Sequence, residues 1–368
     1  MMNGFGAVFR KEITQMLRDR TTLMFSILVP VFELILFGVI DTTARNIPTV
    51  VFDQSRSQES RVLQEQFEAT SFLQVVAHAQ SRAELQHAIV AGQAQVAIEI
   101  PPDYARNLQS NRKADVLVLI DGSDSSVANQ ALAAANGVVL QRGLQKLIDR
   151  TGLRPPLEAH PIMMFNPDMR SANLLIPGLI AILLTFSGTI LSAFAIVKER
   201  ERGTLEQLMV TPVSPLAVVL GKILPYMGVA YTTLILVLVL MRFLFQVPIH
   251  GSLLLLLLLS SVYLMALLSF GLLISSRAQS QMEAMQMAMG IMLPSILLSG
   301  YIFPLASLPA PLRVFAHFLP ATHFIQIARG IVIRGATFAD LWQPVLSLIA
   351  ISTVLIAASA RAFQKTVS

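Results

Sequence analysis

The chain has 368 residues, 54% of them hydrophobic and only 13% charged, with a formal net charge of +5. Soluble domains carry about 25% charged residues, so this chain needs lipid as part of its solvent, and a simple water-soluble enzyme and an intrinsically disordered protein are both excluded. Cysteine is absent, which removes disulfides, thiolate metal sites and cysteine nucleophiles.

Arg10, Lys11, Arg18 and Arg20 precede Thr21–Ile40, a run that is apolar except for Glu33. Thr42-Thr43-Ala44 loosely resembles a cleavage site, but the run is too long for a signal-peptide core and reads as a first transmembrane helix over 21–40. Residues 41–172, with 12 basic and 14 acidic side chains, form one soluble insert. Strands are predicted at Pro48–Asp53, Leu73–Ala77, Gln95–Ile100 and Val116–Ile120, and helices at Ser57–Ala69, Ala83–Val90, Pro102–Ser110 and Asn129–Asp149. A last extended piece, Glu158–Phe165, leads to the second span. Strands alternating with helices predict a compact α/β domain. No catalytic motif falls in it. Asp121-Gly122-Ser123-Asp124 reads as a turn and helix cap rather than a cation or phosphate site, and His78, His87 and His160 lack metal-site spacing.

Beyond the insert, Asn173–Val197, Ile223–Met241, Gly251–Ser276, Ala284–Leu312 and Leu341–Ala360 contain no Asp, Glu, Lys, Arg or His. A helix crosses the bilayer core with about 20 apolar residues. The expected fold is therefore a polytopic α-helical membrane protein with six transmembrane helices and an inserted extracytoplasmic α/β domain. Helices two to six occupy 173–362, and 363–368 is a short tail. With the N-terminus inside, short inner segments hold eleven Lys and Arg (10, 11, 18, 20, 198, 200, 202, 222, 277, 361 and 365). Outer short loops hold four, Arg242, Arg313, Arg329 and Arg334. This positive-inside bias places both termini in the cytoplasm and residues 41–172 in the periplasm or outside the cell. The basic charge is thus a topology signal, and nucleic acid is not an expected partner.

Several membrane residues invite a functional reading. Glu33 lies midway along the first span, where a carboxylate costs about 2.5–3.5 kcal/mol; it is expected either to line a cavity and meet substrate or to bond a neighbouring helix as a protonated carboxyl. Met282, Met285, Met289 and Met292 form a helical stripe that would adapt to varied ligands or simply pack. Lys222 and Glu283, near inner span ends, are expected to snorkel to water. In the inner loop 198–212, Thr204 can cap a short helix whose Leu205, Leu208 and Met209 form an apolar stripe suited to a groove in another protein.

The chain resembles the permease subunits of type-2 ABC exporters, in the multidrug-efflux-like branch with a large extracytoplasmic insert between the first two spans. The resemblance rests on Lys11-Glu12 with Arg18-Asp19, on Leu174-Leu175-Ile176-Pro177-Gly178, and on Glu199–Leu208 (ERERGTLEQL). Leu293-Pro294-Ser295 through Leu298-Ser299-Gly300-Tyr301-Ile302-Phe303-Pro304 and Leu319-Pro320-Ala321 complete it. It implies an interfacial helix over 1–20 and a partly re-entrant outer segment over 305–335. It implies that loop 198–212 couples to a separate ATPase through Glu199, Glu201, Arg202, Gly203, Thr204, Leu205, Glu206, Leu208 and Met209. Glu33, Met285, Met289, Met292 and Ser299 are the candidate substrate path. No G-x-x-x-x-G-K-[ST] occurs in the sequence, so ATP and magnesium are expected on the partner ATPase and no cofactor, metal or catalytic residue on this chain.

The expected function is ATP-driven export of small amphipathic compounds from the cytoplasm or inner leaflet of a bacterial inner membrane. A second permease copy or paralogue is the expected partner, giving a homo- or heterodimer, with a periplasmic adaptor left open. Export of lipid, glycan or ions by the same architecture stays open, as does an ion-coupled transporter using Glu33. Against the last stands the lack of an internal repeat.

Overall fold

A computed structural model describes the chain except for residues 1–4, 41–44, 71, 111, 153–163, 205–212 and 368. It contains two compact units, one of residues 41–162 and one of residues 1–40 with 163–368. Residues 163–172, expected in the insert, group with the helices. The chain opens with α1 (Phe5–Arg18) and α2 (Arg20–Val39), separated by Asp19, whose carboxylate accepts the Thr22 amide at 3.1 Å and caps α2.

The inserted unit runs β1 (Ile47–Asp53), α3 (Gln58–Glu68), β2 (Leu73–His78), α4 (Arg82–Val90), β3 (Val96–Ile100), α5 (Tyr104–Gln109), β4 (Leu117–Ile120) and α6 (Ser125–Thr151). Its sheet has the order β2-β1-β3-β4, with β1 parallel to β2 and β3, and β4 antiparallel to β3. The period of two along a strand sends alternate side chains to opposite cores. Ile47 and Val51 of β1 join Val96, Ile98 and Ile100 of β3 under α3 and α6, while Val50 and Ala97 face Leu85 and Ala88 of α4. The Glu59 carboxylate of α3 ties down α6 by accepting from Arg142 at 2.6 Å and Lys146 at 3.0 Å. Asp121 accepts the Ser123 amide at 2.9 Å, and Asp124 caps α6 through the Ser126 amide at 2.8 Å, which is the turn-and-cap geometry expected for that stretch. His78 and His87 are exposed, and no group of three His, Asp or Glu able to hold a metal occurs among the described residues. Most of the extended piece expected at 158–165, His160 included, lies outside the described residues.

The helical unit continues with α7 (Ser171–Glu201), α8 (Pro215–Phe243), α9 (Leu253–Arg277) and α10 (Gln281–Leu298). It closes with α11 (Ala310–Ala316), α12 (Pro320–Arg334) and α13 (Trp342–Val367). Among the described residues five helices are long and apolar enough to cross a membrane: α2, α7, α8, α9 and α13. The charge-free run from Ala284 to Leu312, longer than one span, is broken. α10 ends at Leu298, and Pro304 and Pro309 then flank a short 3-10 turn, Leu305–Ser307, before α11. Gln281, Glu283 and Gln286 dilute the apolar content of α10, so it is not among the five.

α7 is the axis of this unit. It is apolar on all faces and buried on nearly all of them, packed by α2, α8, α9, α10 and α12. Its neighbour Tyr263 of α9 stacks on Phe324 of α12 with ring centroids 4.2 Å apart, and its hydroxyl donates to the Ala181 carbonyl at 2.9 Å. α12, with 15 residues or about 22 Å of rise, is too short to cross a core of about 30 Å, yet ten of its residues are buried.

Candidate functional site

Four consecutive residues at the end of α7 each hold a different element. The Lys198 ammonium lies 2.5 Å from the Asp19 carboxylate at the α1–α2 junction and 3.0 Å from the Thr22 hydroxyl. Glu199 accepts from Lys11 of α1 and lies 3.3 Å from Lys222 of α8. The Arg200 guanidinium donates to the carbonyls of Ser276, at 3.2 Å, and Ala278 at the C-terminal end of α9. Glu201 accepts the Gln281 amide at 2.8 Å, and the Gln281 side chain, at the start of α10.

The centre of this cluster is dry. Lys222, Glu12 and Glu199 are 1%, 2% and 1% exposed. Lys222 donates to Glu12 at 2.6 Å and to the Ala195 carbonyl at 3.3 Å, and the Tyr226 hydroxyl donates to the second Glu12 oxygen at 3.3 Å. The expectation that Lys222 snorkels to water is therefore wrong. The helix α1 covers its head, and Glu12 and Glu199 neutralise it there. Two ammonium groups, Lys11 and Lys222, face two carboxylates, Glu12 and Glu199, so the cluster carries no net charge. Such pairs specify register more than they stabilise; here they fix α1 against α7 and α8. Glu12 was not among the candidate site residues, although it follows Val8 by one helical turn on the buried face of α1, and that spacing was the available signal. Glu283 is exposed, as expected, and its side chain accepts the Gln279 amide at 2.7 Å just ahead of α10, whose N-cap is Ser280.

Burial alone would push the Asp19 carboxyl up, but hydrogen bonds from Lys198 and Thr22 outweigh it and hold the group at about 2. Asp19 is therefore ionised at every physiological pH, and the α1–α2 junction keeps its charge pair.

α7 ends on a glycine for a conformational reason. Gly203 has φ of +67°, its amide meets the Arg200 carbonyl at 3.1 Å, and the Thr204 amide meets the Glu199 carbonyl at 2.9 Å. This paired closure requires the left-handed region that other residues enter at about 1–2 kcal/mol. Thr204 also turns its hydroxyl back to the Glu199 carbonyl, at 3.3 Å. Leu205, Glu206, Leu208 and Met209 lie outside the described residues.

The candidate path residues are not gathered in one place. Met289 and Met292 line an apolar cavity of about 110 Å³ together with Thr189, Phe270, Ser295 and Phe318. Met285 is exposed on the same helix, and Ser299 is buried at its C-terminus with its hydroxyl unpartnered among the described residues. Glu33 is half-buried on α2, has no hydrogen-bond partner among the described residues and lines neither this cavity nor the larger one near α1. Phe25, Leu28, Phe32 and Leu36, on the same helix, are exposed.

Two motif pieces distant in sequence meet through a residue counted only for its charge. Arg329 of α12 donates to the carbonyls of Gly300 and Tyr301, at 3.0 and 3.3 Å. A Cβ at Gly178 of α7 would lie 3.0 Å from the Tyr301 ring and 3.1 Å from Arg329.

A bundle of apolar helices around a buried axis, fastened at one end by paired charges, defines a multi-pass membrane protein. The chain belongs to the ABC-2 family of transporter proteins, whose description matches residues 20–361. It is 29% identical to the probable multidrug ABC transporter permease YbhS of Escherichia coli (strain K12) over 350 residues, 94% of this chain and 93% of that one. It is 28% identical to the probable multidrug ABC transporter permease YbhR of the same strain over the whole of both chains. The inner membrane transport permease YhhJ is 29% identical, over 97% of this chain and 96% of its own.

Proposed function

We propose that this chain is the membrane half of an ATP-driven exporter of small amphipathic compounds in a bacterial inner membrane. Two copies, or one copy and a paralogue, enclose the path through six spans each, and a separate ATPase binds ATP and magnesium. The observation that carries the proposal is the row Lys198-Glu199-Arg200-Glu201. It joins α7 to α1, α8, α9 and α10 immediately before the segment 205–212, so a push on that segment reaches four helices at once. The exposed faces of α2 and α10 suit the second permease copy, and the names of the full-length relatives agree with multidrug transport. Both termini and the segment 198–212 lie in the cytoplasm in this reading, α12 enters from outside without crossing, and residues 41–162 stand in the periplasm, open to an adaptor.

The test is capture of partners by the tagged chain from native membranes, followed by transport-stimulated ATP hydrolysis in vesicles. A stoichiometric P-loop ATPase is expected. Glu206→Ala, Leu208→Ala and Gly203→Pro should each weaken ATPase capture about tenfold or more while membrane insertion stays normal. Normal stimulated hydrolysis in all three variants would remove the coupling role. Flux that continues without ATP and stops in Glu33→Gln would favour ion-coupled transport, a reading supported by the Glu33 carboxyl, which has no partner among the described residues.

A further inference from the structure

Between α1, the start of α2 and the end of α7 lies a cavity of about 920 Å³. Its charged lining is five cations, Arg10, Lys11, Arg18, Lys198 and Arg202, against the single acid Asp19. Lys11 is taken by Glu199 and Lys198 by Asp19. Arg10, Arg18 and Arg202 are exposed and have no acidic partner among the described residues. Three unneutralised guanidinium groups on one cavity are an anion site, and the planar fork of arginine matches the paired oxygens of a phosphate.

The rest of the lining narrows the anion. Leu23 of α2 and Leu191 and Phe194 of α7 form an apolar wall. A soluble phosphate would leave this wall wet, and an acidic protein segment has no use for it. An anionic phospholipid satisfies both halves, its phosphate among the arginines and its acyl chains on the wall. Basic pockets between membrane helices on the cytoplasmic side are suited to such headgroups.

We propose that this cavity binds the phosphate headgroup of an anionic phospholipid through Arg10, Arg18 and Arg202, with its acyl chains along Leu23, Leu191 and Phe194. Lys11 connects the lining to Glu199, so the lipid presses α1 onto the end of α7. The site rests on placing α1 at the inner membrane surface, as in the function proposed above.

The experiment is native mass spectrometry of the full chain in detergent, titrated with phosphatidylglycerol or with phosphatidylcholine. Retention of phosphatidylglycerol over phosphatidylcholine is expected. Each of Arg10→Gln, Arg18→Gln and Arg202→Gln should weaken it about fivefold, the triple variant about a hundredfold, and Arg242→Gln not at all. The single variants keep the test available if the triple variant does not fold. Equal retention of the two lipids, or undiminished phosphatidylglycerol in the triple variant, overturns the proposal. So does a thermal shift produced as well by inorganic phosphate alone. Loss of ATPase capture in variants that keep their lipid overturns it in favour of an acidic protein segment. Selective lipid retention by a chain that captures no ATPase supports the lipid site and counts against the coupling role instead.

Discussion

Lys222→Met is expected to destabilise the purified chain by about 3–5 kcal/mol, because it leaves one net negative charge buried between Glu12 and Glu199. The loss is electrostatic rather than steric, since Met occupies nearly the volume of the Lys stem. Adding Glu12→Gln restores neutrality, with Lys11 still facing Glu199, and should recover most of the lost stability. Thermal unfolding in detergent measures both variants. If the double variant is no more stable than Lys222→Met alone, the cluster is held by packing and not by charge balance. The prediction also bears on coupling. The neutral cluster of the double variant no longer ties α8 to the end of α7 through an ion pair, so under the proposed function ATP-driven transport should fall further than stability does.

Gly271→Ala is the second large effect. A Cβ at Gly271 of α9 would overlap the Ser192 hydroxyl oxygen and lie 2.5 Å from the Thr189 carbonyl of α7. The first neighbour is a side chain that can rotate, but the second is backbone, so the helices must part along the tightest seam of the bundle. Overpacking of this kind costs about 1–3 kcal/mol and at times more, and about 3 kcal/mol is expected here. Adding Ser192→Ala should recover only part of it, since the Thr189 carbonyl stays in place. Gly228→Ala in α8 is the control, because a Cβ there meets nothing within 4 Å; it should be neutral or stabilising by up to about 1 kcal/mol. Full recovery by Ser192→Ala would show that the seam yields and that the backbone contact is not limiting.

Small residues on both sides make this seam possible, as is usual where apolar surfaces offer no preference over lipid. Ser275 of α9 accepts the Ile196 and Val197 amides of α7 at 3.0 and 3.1 Å. At this level a small hydroxyl of one helix meets the backbone of the other, which lets the two helices approach closely. Arg200, one turn further along α7, then closes the α9 end. The order of these contacts along α7 links bundle packing to the charged row at its end.

Composition and local pattern determined the class of this protein. Long charge-free runs forced helices into lipid because no other structure satisfies its backbone there, and short apolar runs alternating with helical segments placed the strands of residues 41–162 within a residue or two of where they form. The acid that caps α6 was likewise legible, because caps are decided by neighbours in sequence. The tertiary structure decided the rest. Lys222 looked like a snorkelling cation because its neighbours in sequence are apolar. Its partner Glu12 lies 210 positions away and Glu199 sits on another helix. The docking of α1 brings Glu12 within 2.6 Å of it, and the packing of α7 on α8 brings Glu199 within 3.3 Å. Arg329 was one outer charge among four until α12 folded back onto Gly300 and Tyr301. A buried charge is tolerated only where distant groups neutralise it, so its role is set by the packing of the whole bundle and not by the residues beside it.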